Sequence, residues 1–266
     1  MEFYFGGAAR SLFGVLHDPP RAQAGAAPRV LVLCAPLWRE GVRAHRVLRQ
    51  LGLRLAKEGT TVLRFDYSGA GDSAGDNEHG DVETWLGDVA AAIDEARRAK
   101  GVERVTLLGL RFGATLAALT AAARDDVERL VLWEPVAEGA RYLEAGLADQ
   151  RAWGDRYATW RRLPRADVAD PGDEILGYRV TEPMRTSISS VDLSKLPRTA
   201  PQVLVIERAA PDTTAGLAAV LSARGARVHH EVLAEPEVWK QHRTEGTAGA
   251  RQTQDFISGW LARRAA

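Results

Sequence analysis

Cysteine is nearly absent. Cys34 is the one thiol in 266 residues, which excludes an internal disulfide and any metal site built from a cysteine cluster. Neither sign of charge dominates, because Lys+Arg and Asp+Glu both number 35. A balanced chain has no global field to attract nucleic acid or an anionic membrane, so neither partner is expected and any charge selectivity must be local. Long apolar runs are missing too; those present are too short, or too broken by charge, to cross a bilayer. The opening residues, M-E-F-Y-F-G-G, lack a basic segment followed by an apolar one and do not read as a signal peptide. The expectation is a soluble cytoplasmic protein, long enough for one large α/β domain with an insertion.

What is present is an alternation of apolar strand patterns with helical ones. Residues 2–5 and 11–16 suit two short strands parted by Gly6-Gly7, a hairpin signal. Asp18-Pro19-Pro20 ends the second, and the Ala/Gly/Pro-rich stretch to Pro28 reads as a loop. R-V-L-V-L-C, 29–34, has no polar alternation and suits a strand buried on both faces. After an irregular segment at 37–41, the spacing of Val47, Leu48, Leu51 and Leu55 predicts a helix over about 43–57. A strand over 61–65 leads into a glycine-punctuated loop, 66–75, that lacks the lysine and spacing of a phosphate loop. A helix over 83–100 stops at Gly101. Strand, helix and strand follow at 105–110, 112–124 and 130–133. From about 137 to 200 the rhythm breaks into an arginine-, aspartate- and tryptophan-bearing stretch that reads as a helical insertion, and it resumes with strands at 202–206 and 227–233 and helices at 213–224 and 248–263. Regular alternation with short connections argues for a mostly parallel sheet covered on both faces.

One junction stands out. V-T-L-L-G-L-R-F-G-A, 105–114, is an apolar run, a glycine-bracketed turn and the start of an alanine-rich helix. This is the form of a nucleophile elbow, with glycines two before and two after the central residue. That residue is normally a nucleophile, and here it is Arg111. A guanidinium stays protonated and has no lone pair to offer, so it can be neither nucleophile nor general base.

Several separated motifs carry a resemblance. L-R-F-D-Y-S-G-A-G-D-S-A-G-D (63–76) is similar to the loop after the fourth strand of α/β-hydrolases of the serine-aminopeptidase and lysophospholipase type. G-D-S-A-G-D with E-T-W-L-G-D-V-A-A-A (83–92), G-L-R-F-G-A (109–114) and L-V-L-W-E-P-V (130–136) resembles, more narrowly, the hydrolase-like proteins associated with exosortase A systems. In that family, too, arginine tends to stand at the elbow. The resemblance implies an α/β-hydrolase fold: a mostly parallel central sheet of about eight strands with helices on both faces. The resemblance implies little about chemistry, since fold does not fix function. The break in the strand–helix rhythm divides the chain into a core of 1–136 and 201–266 and a helical cap at 137–200.

Within that frame Arg111 points to the carboxyl end of the strands, where open α/β sheets bind ligands. It is either an anion anchor, holding a carboxylate or phosphate through a guanidinium fork, or one half of an internal ion pair with an acid such as Glu134. His242 lies in the loop after the last strand, where this fold places its catalytic histidine, and Asp212 follows the preceding strand as its orienting acid. Cys34 ends the strand beside Arg111, so its thiol is a nucleophile if a guanidinium lowers its pKa, and otherwise a buried apolar residue. The backbone N–H of Phe112 and one from the stretch Leu37, Trp38, Arg39 and Glu40 suit an oxyanion hole, and Glu40 is an additional acid. Asp66 looks like a loop-bracing acid, Ser68 and Ser73 like turn residues. His229 and His230 are neighbours on a strand and face opposite ways. The leading expectation is a cofactor-independent, metal-free enzyme for a small acidic or acyl substrate. A silent binding or accessory protein is the alternative, and a Cys34-dependent thioesterase or acyltransferase the third.

Overall fold

The computed structural model describes residues 1–7, 10–20, 28–162, 164, 172–208, 215–240 and 249–263. Strands β1 (Glu2–Gly7) and β2 (Arg10–His17) form the expected antiparallel hairpin at one edge. Then come β3 (Arg29–Cys34), α1 (Trp38–Lys57), β4 (Thr60–Phe65), α2 (Val82–Lys100), β5 (Val105–Leu110), α3 (Phe112–Ala123) and β6 (Val127–Trp133). After β6 lie α4 (Gly139–Arg161), a small hairpin of β7 (Glu174–Ile175) and β8 (Tyr178–Arg179), and α5 (Glu182–Ser189). The chain closes with β9 (Gln202–Glu207), α6 (Ala215–Ala223), β10 (Arg227–Val232) and α7 (Arg251–Ala262). Eight strands make one sheet in the order β1-β2-β4-β3-β5-β6-β9-β10. Strand β2 runs antiparallel to β1 and to β4, and every other pairing is parallel.

Side chains alternate across the pleat and feed two apolar layers. Val30, Val32 and Cys34 of β3 belong to the layer that also takes in α2, α3 and α6, while Leu31 and Leu33 belong to the layer with α1 and α7. All six residues of β5 are buried, as a central strand covered on both faces requires. Helix α2 stops at Gly101 as expected, at φ +63°, and at its start the Asp81 carboxylate accepts from the Thr84 N–H at 2.7 Å.

Several boundaries differ from the sequence reading: Gly6 and Gly7, expected to part the two strands, lie within β1 and pair with Ser11 and Arg10, and two further differences bear on packing and on the site. Strand β6 begins at Val127 rather than at Leu130, because Arg129 is buried inside the sheet layer. Its guanidinium stacks 4.0 Å from the Trp260 ring and donates to the last carbonyl oxygens of α7, Trp260 at 2.6 Å and Leu261 at 2.9 Å. A charge that looked like a loop residue is the C-terminal cap of a distant helix. Helix α1 begins at Trp38, so most of the segment 37–41 belongs to a helix, and the irregularity expected there is confined to its entry, where Leu37 is extended and Trp38 turns at φ +53°. Gly41 makes that start workable, since a Cβ there would lie 2.5 Å from the Pro36 carbonyl oxygen.

The segment between β6 and β9 is closed at its base. A bridge pairs Glu138 with Asp192, with Gly139 N–H donating to Val191 O at 2.9 Å and Leu193 N–H to Ala137 O at 2.9 Å. Among the described residues, no helix is long and apolar enough to cross a membrane.

Candidate active site

Arg111 sits at the junction of β5 and α3 with φ +54° and ψ −126°. A positive φ is costly for any residue with a Cβ, so the surroundings must hold it. The glycines on either side do so. A Cβ on Gly109 would overlap the backbone of Gly113 and Ala114, and one on Gly113 would overlap the carbonyl oxygens of Cys34 and Ala35. Helix and strand therefore pass at backbone contact, and the Arg111 N–H is tied to Trp133 O at 2.9 Å. The turn lifts the arginine side chain out of the sheet while the Phe112 ring packs beneath, stacked at 5.2 Å on Tyr142.

The guanidinium meets an acid, but not the one expected. Arg111 Nε donates to Glu40 Oε1 at 3.1 Å, and the Tyr142 hydroxyl donates to Glu40 Oε2 at 3.2 Å. The two side chains of the pair are 21% and 19% exposed. Arg111 also lies 5.1 Å from the Trp239 ring and 5.9 Å from the Tyr142 ring, over which a cation is attracted. Burial opposes its charge, and the Glu40 carboxylate, with Tyr142 and Glu134 behind it, more than offsets that, so the guanidinium is held charged above its ordinary range. Burial likewise pushes the Glu40 carboxyl up, while Arg111 and the Tyr142 hydroxyl pull it back toward ionisation.

Glu134 acts on Arg111 through its field and, among the described residues, forms no ion pair with it. Its backbone turns at φ +49°, and its carboxylate is met by the Arg208 N–H. Burial is the main reason that its pKa rises to about 7; Arg111 and Arg208 oppose the rise and Glu207 adds to it. A carboxyl poised there can hold or release a proton near neutrality.

The space above the pair is a cavity of about 100 Å³. Leu37, Trp38, Arg39 and Glu40 from the start of α1 line it together with Arg111 and Tyr142; Asp149 and Lys240 complete its charged rim. Thus five of the six residues expected to bind substrate meet at one cavity, while Phe112 lies fully buried next to it. Tyr142 and Trp239 were not foreseen. Neither carries a motif, and only tertiary contact brings them to Arg111.

Other candidates separate from this group. His242 and Asp212 lie outside the described residues. Cys34 pairs across to Gly109 as expected but is fully buried, and burial pushes its thiol up to about 12. The neighbouring group that lowers it in part is Tyr67, not a guanidinium. Ser68 hydrogen-bonds with Asp88 at 2.9 Å and accepts from Arg10 at 3.1 Å, and Ser73 donates to Asp66 O at 2.6 Å while accepting from Phe13 N–H. Asp66 accepts from Asp72 N–H at 3.1 Å. His230 meets Glu207 at 2.9 Å, whereas His229 packs on Phe256 with ring centroids 5.3 Å apart. Among the described residues, no group of three or more histidine, cysteine, aspartate or glutamate side chains is placed to hold a metal ion.

The sequence model of the family described as serine aminopeptidase, S33, matches residues 24–236. No curated protein matches the chain significantly. Among solved structures, proline iminopeptidase from Mycobacterium smegmatis superposes with a TM-score of 0.66 at 17% identity, covering 98% of this chain and 97% of that one. The enol-lactonase from Burkholderia xenovorans LB400 gives 0.64 at 20% identity, with 98% and 100% covered. A bottromycin epimerase in complex with bottromycin A2 gives 0.61 at 19% identity, with 98% and 99% covered. A peptidase, a lactonase and an epimerase thus share one backbone arrangement with this chain, and that arrangement does not by itself select a reaction.

Proposed function

This chain belongs to the serine aminopeptidase S33 family of α/β-hydrolases, and from that premise we propose that it is an enzyme that works without a serine nucleophile. The reaction is cofactor-independent hydrolysis of an ester, thioester or amide, or a related lyase step, on a small acidic substrate. The observation that carries this reading is the elbow itself: the strained turn is kept, and its central guanidinium is oriented by Glu40 at the edge of a cavity of about 100 Å³. Nε is taken by Glu40, and among the described residues the two terminal nitrogens have no hydrogen-bond partner. They form the edge that accepts a carboxylate through two parallel bonds.

In the hydrolytic case a base removes a proton from water as the water oxygen bonds to the acyl carbon. Backbone N–H groups at Phe112 and at the start of α1 receive the oxyanion. The bond to the leaving group then breaks, and the protonated base returns its proton to the departing atom. His242 with Asp212 is the base in this proposal, and Glu134, with a pKa of about 7, is the acid–base group on the arginine side. Residues 137–200 form the cap in the same reading, with Tyr142 as its contribution to the site. The narrower likeness to exosortase A-associated hydrolase-like proteins belongs to the proposal as well.

A second reading rests on a specific contact. Glu40 already answers Arg111 with a charge, so a binding or accessory protein that kept the fold and lost the chemistry also fits. A Cys34-dependent thioesterase or acyltransferase fits least, because a thiol with a pKa of about 12 supplies little thiolate. A thermal-shift screen of wild type, Arg111→Ala and Arg111→Lys against small carboxylates and acyl thioesters tests the anchor. A ligand at about 100 times its dissociation constant stabilises by roughly 2.7 kcal/mol. The expected result is stabilisation of wild type that is lost in Arg111→Ala, with turnover of the same compound abolished by His242→Ala. Equal stabilisation of all three proteins would sink the anchor. Binding without turnover would favour the accessory reading.

A further inference from the structure

A second and larger cavity, about 530 Å³, shares the Trp38 ring with the first. Its apolar walls include Phe13 and Val15 of β2, Phe65 of β4, Leu48 of α1 and Tyr178 of the small hairpin. This volume lies in the range that holds drug-sized ligands. Among the described residues that line it, one strong cation faces it: Arg64, on the α1 side of β4, passing under Gly52, where an added Cβ would lie 3.5 Å from Arg64 Cδ.

The partners of Arg64 leave its charge unanswered. Nε donates to His17 Nε2 at 3.0 Å, and Nη1 lies 3.5 Å from His45 Nε2. Both imidazoles are held toward the neutral form, by burial first and then by Arg64 itself, so they accept hydrogen bonds without bringing negative charge. Asp66 lines the same cavity, but its carboxylate is turned into its own loop, onto the Asp72 N–H and against Gly71. Burial and the nearby Arg49 outweigh its help and leave the Arg64 cation disfavoured. Among the described residues no carboxylate forms an ion pair with Arg64, and Nη2 has no hydrogen-bond partner. A half-buried guanidinium in an apolar cavity is costly unless an anion completes it.

We propose that this cavity is a binding site for a hydrophobic carboxylate, its acid group on the free edge of Arg64 and its aliphatic or aromatic tail along Phe13, Val15 and Phe65. The two imidazole contacts fix the plane of the fork, leaving Nη2 and the second N–H of Nη1 to bind both carboxylate oxygens. The site is separate from the Arg111 cavity and independent of what that cavity does.

Octanoate is the probe, with 1-octanol as the uncharged control, followed by tryptophan fluorescence and titration calorimetry on the full chain. Wild type is expected to bind octanoate more tightly than octanol. Arg64→Gln should weaken octanoate by about 10- to 100-fold, the usual worth of a hydrogen bond to a charged group, while Arg111→Gln leaves it unchanged. Tyr178→Ala and Val42→Trp, at partly or largely exposed wall positions, give the same answer if Arg64→Gln does not fold: the first should weaken binding and the second block it. No binding of octanoate at millimolar concentration would overturn the proposal. So would equal affinity for octanoate and octanol, or loss of binding in Arg111→Gln alone.

Discussion

Arg111 and Arg64 are two partly buried guanidinium groups whose cavities share one tryptophan ring, and their surroundings are opposite. Arg111 faces Glu40 at 3.1 Å and two aromatic rings, and its charge is held above the ordinary range. Arg64 faces two neutral imidazoles, and burial with Arg49 holds its charge below the ordinary range. Both are hydrogen-bonded, but only one is neutralised. The difference teaches that hydrogen bonds orient a buried cation while an opposite charge stabilises it, so an oriented, unneutralised cation is the one with most to gain from an anionic ligand.

The largest effect should come from making Arg111 resemble Arg64. Glu40→Ala removes the carboxylate and strands the guanidinium under Tyr142 and Trp239. Breaking one side of a buried pair costs about 3 kcal/mol, or roughly 6–12 °C in melting temperature for a chain of this size. Glu40→Leu combined with Arg111→Met should recover most of that loss, because no unpaired charge remains. If Glu40→Ala melts within a degree of wild type, the pair is not a structural element and the contrast between the two arginines fails.

Glu134 sharpens the comparison from the acid side. Its carboxyl is raised from 4.5 to about 7 in the folded state, mainly by burial, so the folded protein binds its proton more tightly than the unfolded chain does. The resulting stability is fully present below about pH 4.5 and is lost as pH rises through about 7, at most about 3 kcal/mol in total. Glu134→Gln mimics the protonated form and should abolish this dependence. Urea unfolding at pH 5 and pH 8 should show wild type losing about 2 kcal/mol relative to the variant. Parallel pH profiles would mean that Arg111 keeps Glu134 ionised throughout.

The elbow was legible because its information is local. An apolar run, glycines at 109 and 113 and an alanine-rich helix specify strand, turn and helix without outside help. The eight-strand sheet was legible for the same reason, through runs such as R-V-L-V-L-C. The partners of Arg111 were not. Glu40 lies 71 residues away and Tyr142 meets Glu40 across 102, and no spacing rule connects such positions. Pro36 and Gly41 suggested irregular chain, yet Gly41 is what lets α1 begin early enough to bring Glu40 to the elbow. Arg64 left no signal because one charge at the end of a strand pattern looks like a solvated edge. Its meaning depends on Gly52, His17 and His45, which belong to two other elements.

The smallest effect probes whether Arg64 is a cation in place. The pKa of His17 is lowered from 6.5 to about 4, by burial first and by Arg64 second, with the N-terminus and Arg49 adding and Asp18 opposing. Since the folded pKa lies below the unfolded one, His17 contributes stability that is present above about pH 6.5 and is lost as pH falls through about 4. Arg64→Gln removes the second cause and leaves the first. Proton NMR titration of the His17 ring should therefore find a pKa above that of wild type but still below 6.5. An unchanged pKa would mean that no positive charge stands beside His17, and the anion site would lose its anchor. A full return to 6.5 would mean that the arginine, and not burial, sets the imidazole, which would make the field at that cavity stronger than its geometry implies.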